Sequence, residues 1–178
     1  IDPASSDSKE ADDNVVAVVA FYKDDVYLVD YKAAIGQDPE MVLATVFEFA
    51  RIWRPLGIVV EAIAYQRVLA WYIEKGMRAQ RLYLPVYKVQ DTRRKSDRII
   101  QALGETSGYQ RLRCKTSHSK FVEQFTEYSP TAKMHDDVLD ALAMAITWAE
   151  KQGMSDWIDG EAERVDEDLP RLNFRGAP

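Results

Sequence analysis

Apolar positions along the 178 residues follow two spacings, and their alternation predicts an ordered set of strands and helices. Residues 14–22 (NVVAVVAFY) and 26–32 (VYLVDYK) are β-branched and aromatic runs separated by Lys23, Asp24 and Asp25, the pattern of a hairpin. Ile1 and Asp2 form a strand stub ahead of a polar loop over 5–13, so the chain opens as three antiparallel strands. Gly36 ends the third strand. Asp38 as N-cap and Pro39 at the first helical position start a helix whose apolar residues run from Met41 to Trp53. Residues 57–61 (GIVVE) read as a short strand buried on both faces, followed by a helix over 65–76 that ends at Gly76. A strand over 81–86, a basic helix over 92–104, a short strand over 110–113 and a helix over 117–128 follow. The Ala-, Leu- and Met-rich stretch 137–151 is the strongest helical pattern in the chain. Three antiparallel strands followed by alternating helices and strands define an α/β mixed sheet. Its later strands run parallel through right-handed crossovers, with helices on both faces.

Composition narrows this picture. The apolar fraction of 47% excludes wholesale disorder, and one cysteine, Cys114, excludes a disulfide-stapled scaffold and favours a reducing compartment. No apolar run approaches the roughly 20 residues of a membrane span. A start at Ile1, inside a strand and without an initiator Met, suggests a piece excised from a longer protein. The length suits one domain over 1–153, with an acidic extension or tail over 154–178.

The net charge of −6 conceals a strong partition. Residues 75–120 carry 12 Lys and Arg against 3 Asp and Glu, whereas 1–74 carry 6 against 13. Such a basic block suits phosphate contacts with a polyanion such as DNA, and equally suits a solvated face that balances acidic neighbours. Charge alone does not choose between them.

Certain acids are harder to assign to a solvated surface. Asp2 lies on the first strand stub and reads also as a fraying-terminus or turn residue. Glu61 closes a four-residue apolar run and reads either as a loop or helix-cap carboxylate or as a site residue at the carboxyl end of a strand, where ligands collect in open α/β sheets. The segment from His135 to Ile146 (HDDVLDALAMAI) sets Asp136, Asp137 and Asp140 at the head of a nearly all-apolar helix. Asp136 and Asp137 suit a helix N-terminus. Asp140 is a poor interior helix former, flanked for a full turn by apolar or small residues. The i,i+3 and i,i+4 spacings place all three on one helix face, where buried like charges need a cation between them. Carboxylates from a first strand, an inner strand and a late helix are hard oxygen donors that suit Mg²⁺ or Mn²⁺. Two such ions support in-line phosphodiester hydrolysis.

These residues resemble the nuclease domain of the large terminase subunit of tailed bacteriophages, an RNase H-like fold related to RuvC-type Holliday-junction resolvases. The resemblance runs through about Trp148. It rests on Ile1-Asp2-Pro3-Ala4 with Asp13 before the second strand, and on Ile58-Val59-Val60-Glu61-Ala62 leading to Gln66. It continues with Lys95-Ser96-Asp97-Arg98-Ile99 and, most specifically, with the segment from His135 to Ala143. The resemblance implies Asp2, Glu61 and Asp137 as catalytic metal ligands and Asp140 as a further ligand or a partner of one, with Asp136 and Asp13 less central. Asp13 reads equally well as a hairpin-loop residue. Lys95 and Arg98 resemble a basic pair that approaches DNA, Arg93 and Arg94 extend that patch, and His135 orients a ligand or meets phosphate.

The expected activity is therefore a two-metal endonuclease that cuts concatemeric double-stranded DNA during genome packaging. Its implied partners are an N-terminal ATPase domain of the same protein, the portal and the small terminase subunit, with no membrane partner. The implied setting is the cytoplasm of the infected host rather than the mature virion. No G-x-x-x-x-G-K-[ST] phosphate loop occurs, so this stretch carries no ATPase. A structure-specific resolvase-like nuclease and a non-catalytic interaction module are the alternatives.

Overall fold

A computed structural model describes residues 13–35, 39–61, 66–108, 110–131 and 135–153. The strands are β1 (Asp13–Tyr22), β2 (Asp25–Ile35), β3 (Ile58–Glu61), β4 (Val86–Val89) and β5 (Leu112–Cys114). The helices are α1 (Pro39–Trp53), α2 (Gln66–Gln80), α3 (Lys95–Gly108), α4 (Ser119–Glu127) and α5 (Asp137–Lys151). The order is that of the α/β class expected from the hydrophobic pattern. Among the described residues the strands form two sheets, β1-β2-β5 and β3-β4. β5 joins β2 in parallel, with Val26 opposite Leu112 and Leu28 opposite Cys114. β4 joins β3 in parallel, with Ile58 opposite Val86 and Glu61 opposite Val89. The strand expected at Ile1 and Asp2, and the acidic segment 154–178, lie outside the described residues.

The chain divides into two compact units. One comprises residues 13–18 and 31–92 of the described chain, the other 19–30 and 93–153. In the first, Val42, Val46, Phe47 and Phe49 of α1 pack with Ile58 and Val60 of β3 and with Leu69, Ile73 and Met77 of α2. Their spacing on α1 follows the apolar stripe visible in the sequence. Within β3, Ile58, Val60 and Glu61 are buried and Val59 is half-buried, so the strand is largely enclosed, as its apolar run suggests.

Several boundaries differ from the sequence expectation, each for a local reason. α2 does not stop at Gly76 but continues to Gln80. Gly76 serves packing instead: a Cβ there would lie 2.6 Å from Cζ of the buried Phe47 ring, so the missing side chain lets α1 and α2 approach. The helix closes with Arg81 in left-handed backbone (φ 52°) and the Leu82 N–H donating to the Met77 carbonyl at 3.0 Å. The expected strand over 81–86 therefore begins late, at Val86, and Pro85 contributes only its carbonyl, which accepts from the Ile58 N–H at 2.8 Å. α3 starts at Lys95 rather than 92 and runs through Gly104 to Gly108. β5 and α4 are each shifted or trimmed by one or two residues relative to the pattern.

In the second unit, Leu28, Ile99, Leu103, Leu112, Phe121 and Leu139 are fully buried. α5 spans the residues its composition predicts, Asp137–Lys151. It ends as Gln152 N–H bonds back to the last carbonyls and Gly153 adopts φ +66°, a left-handed position that favours glycine. Cys114 is buried, and that burial pushes its thiol up to about 11, so it is a packing residue rather than a nucleophile. His118 is also buried. Burial, then the nearby Lys115 charge, holds its imidazole below the ordinary range, against the opposing pull of Asp30.

Two outcomes follow from this packing. Gly76→Ala lowers stability by about 1 kcal/mol in urea unfolding, because overpacking against Phe47 at about 1–3 kcal/mol outweighs a helix-propensity gain of about 1 kcal/mol. A stabilised Gly76→Ala would show that Phe47 yields freely. Second, a depressed folded-state histidine pKa means the neutral form is the one the fold accommodates. Its contribution is complete above the unfolded value near 6.5 and is lost as pH falls below it. Wild type should accordingly lose more stability between pH 7.5 and 5.5 than His118→Gln, and equal losses would remove His118 from the balance.

Candidate active site

The chemistry-bearing residues of the second unit gather where α3 faces the first turn of α5. The three α5 carboxylates differ sharply in exposure: Asp137 is 0% and Asp140 2% exposed, while the Asp136 side chain retains 20%. Ionised carboxylates in such surroundings need countercharges. α3 supplies two, spaced i,i+3 like Asp137 and Asp140 themselves.

The inner contact joins Arg98 and Asp140. Arg98 Nε donates to Asp140 Oδ1 at 2.7 Å and Nη2 to Oδ2 at 2.6 Å, a two-point pair with both residues buried. The outer contact is a shared one. Lys95 Nζ lies 2.6 Å from Asp137 Oδ1 and 2.7 Å from Asp136 Oδ1, with about a third of its side chain exposed. Burial alone would lower the Lys95 pKa, but hydrogen bonds and charge from Asp136 and Asp137 outweigh it and hold the amine well above its ordinary value. Lys95 thus stays protonated, an ammonium between two carboxylates.

Two residues that the sequence did not single out complete the surroundings. Gln124 of α4 presents Oε1 to the Val138 N–H at 3.2 Å, satisfying one of the open backbone donors at the start of α5, where Asp136 makes no side-chain cap bond. Its signal in the sequence is slight: a polar residue on the same helical stripe as Phe121 and Phe125. Tyr128 is buried too. Burial, then the charges of Asp136 and Asp140, pushes its phenol up to about 12, so it remains a neutral hydroxyl at physiological pH.

The other expected site residues are distributed as follows. Asp2 lies outside the described residues, and only the backbone of Asp13, which opens β1, is described. Glu61 closes β3 and is 4% exposed, at the strand's carboxyl end as the sequence reading required. It belongs to the first unit, whereas Asp136, Asp137 and Asp140 belong to the second. Among the described residues no group of three or more His, Cys, Asp or Glu side chains comes together to hold a metal. Arg94 and His135 are exposed. Arg93 is half-buried, bonded to the Gln101 side-chain carbonyl and, at 3.4 Å, to Thr147 Oγ1. Arg98, expected to approach DNA, is 5% exposed, and its guanidinium is engaged by Asp140. Burial turns this cation from a surface contact into an internal countercharge.

The donor chemistry fits a hard divalent cation. Asp136 and Asp137 offer carboxylate oxygens only, and these already converge on one cationic group.

Parallel strand pairing within an α/β order is consistent with an RNase H-like fold. A family model described as "Terminase Bacteriophage T7, Ribonuclease H-like domain" matches residues 1–112, and the chain belongs to this family. The match covers Asp2, Asp13, Glu61, Lys95 and Arg98 and ends before α5, so the role of the α5 carboxylates rests on their geometry and chemistry. No curated protein matches the chain closely enough to be a relative.

The Arg98–Asp140 pair yields a stability prediction. Arg98→Ala strands a buried carboxylate and should cost about 3–5 kcal/mol in urea unfolding, of which adding Asp140→Asn recovers a large part. Additive losses in the double variant would show that the two residues do not act as a pair.

Proposed function

We propose that this chain is the endonuclease domain of a phage DNA-packaging large terminase subunit, cutting concatemeric double-stranded DNA by metal-dependent phosphodiester hydrolysis. The observation that carries this reading is the fully buried Asp137 carboxylate at the head of α5, with an oxygen 2.6 Å from a cationic group. Family membership supports it. Asp2, Glu61 and Asp137 are the residues assigned to hold Mg²⁺ or Mn²⁺, with Asp136 beside them and Asp13 at the margin. Bound there, such ions would stabilise the attacking and leaving oxygens of an in-line displacement. In that hydrolysis a water oxygen would attack phosphorus and give up a proton to solvent, the bridging P–O bond would break, and the departing oxygen would take up a proton from solvent.

The chain's own residues have separate tasks in this reading. Arg98 anchors Asp140 and so fixes the first turn of α5, which sets where Asp137 sits. Gln124 does the same through the Val138 amide. Arg94 and Arg93, with other cations of the basic block, are assigned to dock the phosphodiester backbone, and the exposed His135 is assigned to meet phosphate. Packaging nucleases of this kind cut with little sequence preference, so affinity rests on phosphate contacts and falls steeply with salt. No described helix is long and apolar enough to cross a membrane. The N-terminal ATPase domain, the portal and the small terminase subunit are the partners this reading assigns, in the infected host's cytoplasm and not in the finished virion.

The test is plasmid cleavage. Mn²⁺ or Mg²⁺ should permit nicking and linearisation of supercoiled DNA, chelator should stop it, and Asp137→Asn should lower the rate at least about a hundredfold, roughly 2.7 kcal/mol of barrier. Undiminished cleavage by Asp137→Asn refutes the assignment. Cleavage confined to four-way junctions would move the domain to the resolvase-like alternative, and metal-independent DNA binding without cleavage would make it an interaction module.

A further inference from the structure

The placement of Lys95 goes beyond a countercharge. Its Nζ is within 2.7 Å of one oxygen from each of Asp136 and Asp137. Ammonium and divalent cation want the same oxygens, and both cannot occupy one gap between two carboxylates. Arg98 is not in this position, because its two-point pair with Asp140 lies buried, whereas Lys95 keeps about a third of its side chain in solvent. A long, flexible four-carbon stem with an exposed flank can swing away without disturbing the core.

We infer that Lys95 is a built-in competitor of the metal: its ammonium occupies the Asp136–Asp137 gap in the metal-free domain and must leave when a divalent cation enters. This rests on the metal-dependent reading of the same site. A phosphodiester offers the departing ammonium another anionic partner, so occupancy by DNA and by metal are coupled. By linkage each raises the affinity for the other by the same factor. A domain held beside moving DNA thus binds metal weakly until a phosphate group engages Lys95, a restraint contained in two helices.

The test reads metal binding, not cleavage. Mn²⁺ is titrated into the DNA-free domain and free ion is measured by electron paramagnetic resonance, with wild type, Lys95→Met, Lys151→Gln and Asp137→Asn compared. Removing the competitor should tighten Mn²⁺ binding at least about tenfold, whereas Lys151→Gln, which removes a like charge at the far end of α5, should change it less than about threefold. Equal or weaker binding by Lys95→Met overturns the inference while leaving the metal site intact. Absence of any Asp137-dependent Mn²⁺ binding in both wild type and Lys95→Met instead removes the metal reading itself, and this inference with it. Amine footprinting of wild type with a succinimidyl ester avoids dependence on a variant's folding. Saturating Mn²⁺ should accelerate modification of Lys95 severalfold and leave Lys115 unchanged, and an unaltered Lys95 rate overturns the exchange.

Discussion

The arrangement of the second unit follows from the electrostatic problem at the start of α5. Asp137 and Asp140 are withdrawn from water, and an unpaired carboxylate in that position would cost several kcal/mol. The fold answers with Lys95 and Arg98, one helical turn apart on α3 and matched to carboxylates one turn apart on α5. This requirement brings the first turns of two helices together, although about 40 residues of chain separate them. It also explains why the middle of an otherwise acidic protein is basic: part of that charge is directed inward. One of the open backbone donors there, the Val138 amide, is met by Gln124 from a third helix.

The two countercharges differ in chemical character, and the difference suits different tasks. Arg98 offers a planar fork to both oxygens of Asp140 and is buried with it, which makes a rigid joint. Lys95 is a point charge on a flexible stem, shared between two carboxylates and partly in solvent. A nuclease site needs both properties: acids held in fixed geometry, and a place from which a cation can be exchanged. In the first unit, the close approach of α1 and α2 over Gly76, and the enclosure of β3, set Glu61 at the carboxyl end of a buried strand by packing alone.

Long periodic segments were readable from composition. α5 begins and ends where its Ala-, Leu- and Met-rich run does, because an apolar helix bounded by acids and Gly153 has little alternative. Short strands were less so. β4 and β5 have four and three residues, too few for periodicity to mark their ends, and the placement of β4 depended on how α2 unwound after Gln80. Glycine misled for a physical reason. Read as a stop, Gly76 proved to be a contact with Phe47, and nothing near in sequence announces a ring 29 positions upstream.

From the order of residues alone came the α/β class, the helix carrying Asp136, Asp137 and Asp140 on one face, and Glu61 at a strand end, because each depends on local spacing and chemistry. Tertiary structure alone decided which cation meets which acid. Lys95 and Arg98 stood in the sequence as neighbours in one basic run, alike in spacing and sign. Folding buried one against Asp140 and left the other bridging Asp136 and Asp137 at the edge of solvent. Burial and partnership are properties of where chain segments meet, and a linear order of charges does not contain them.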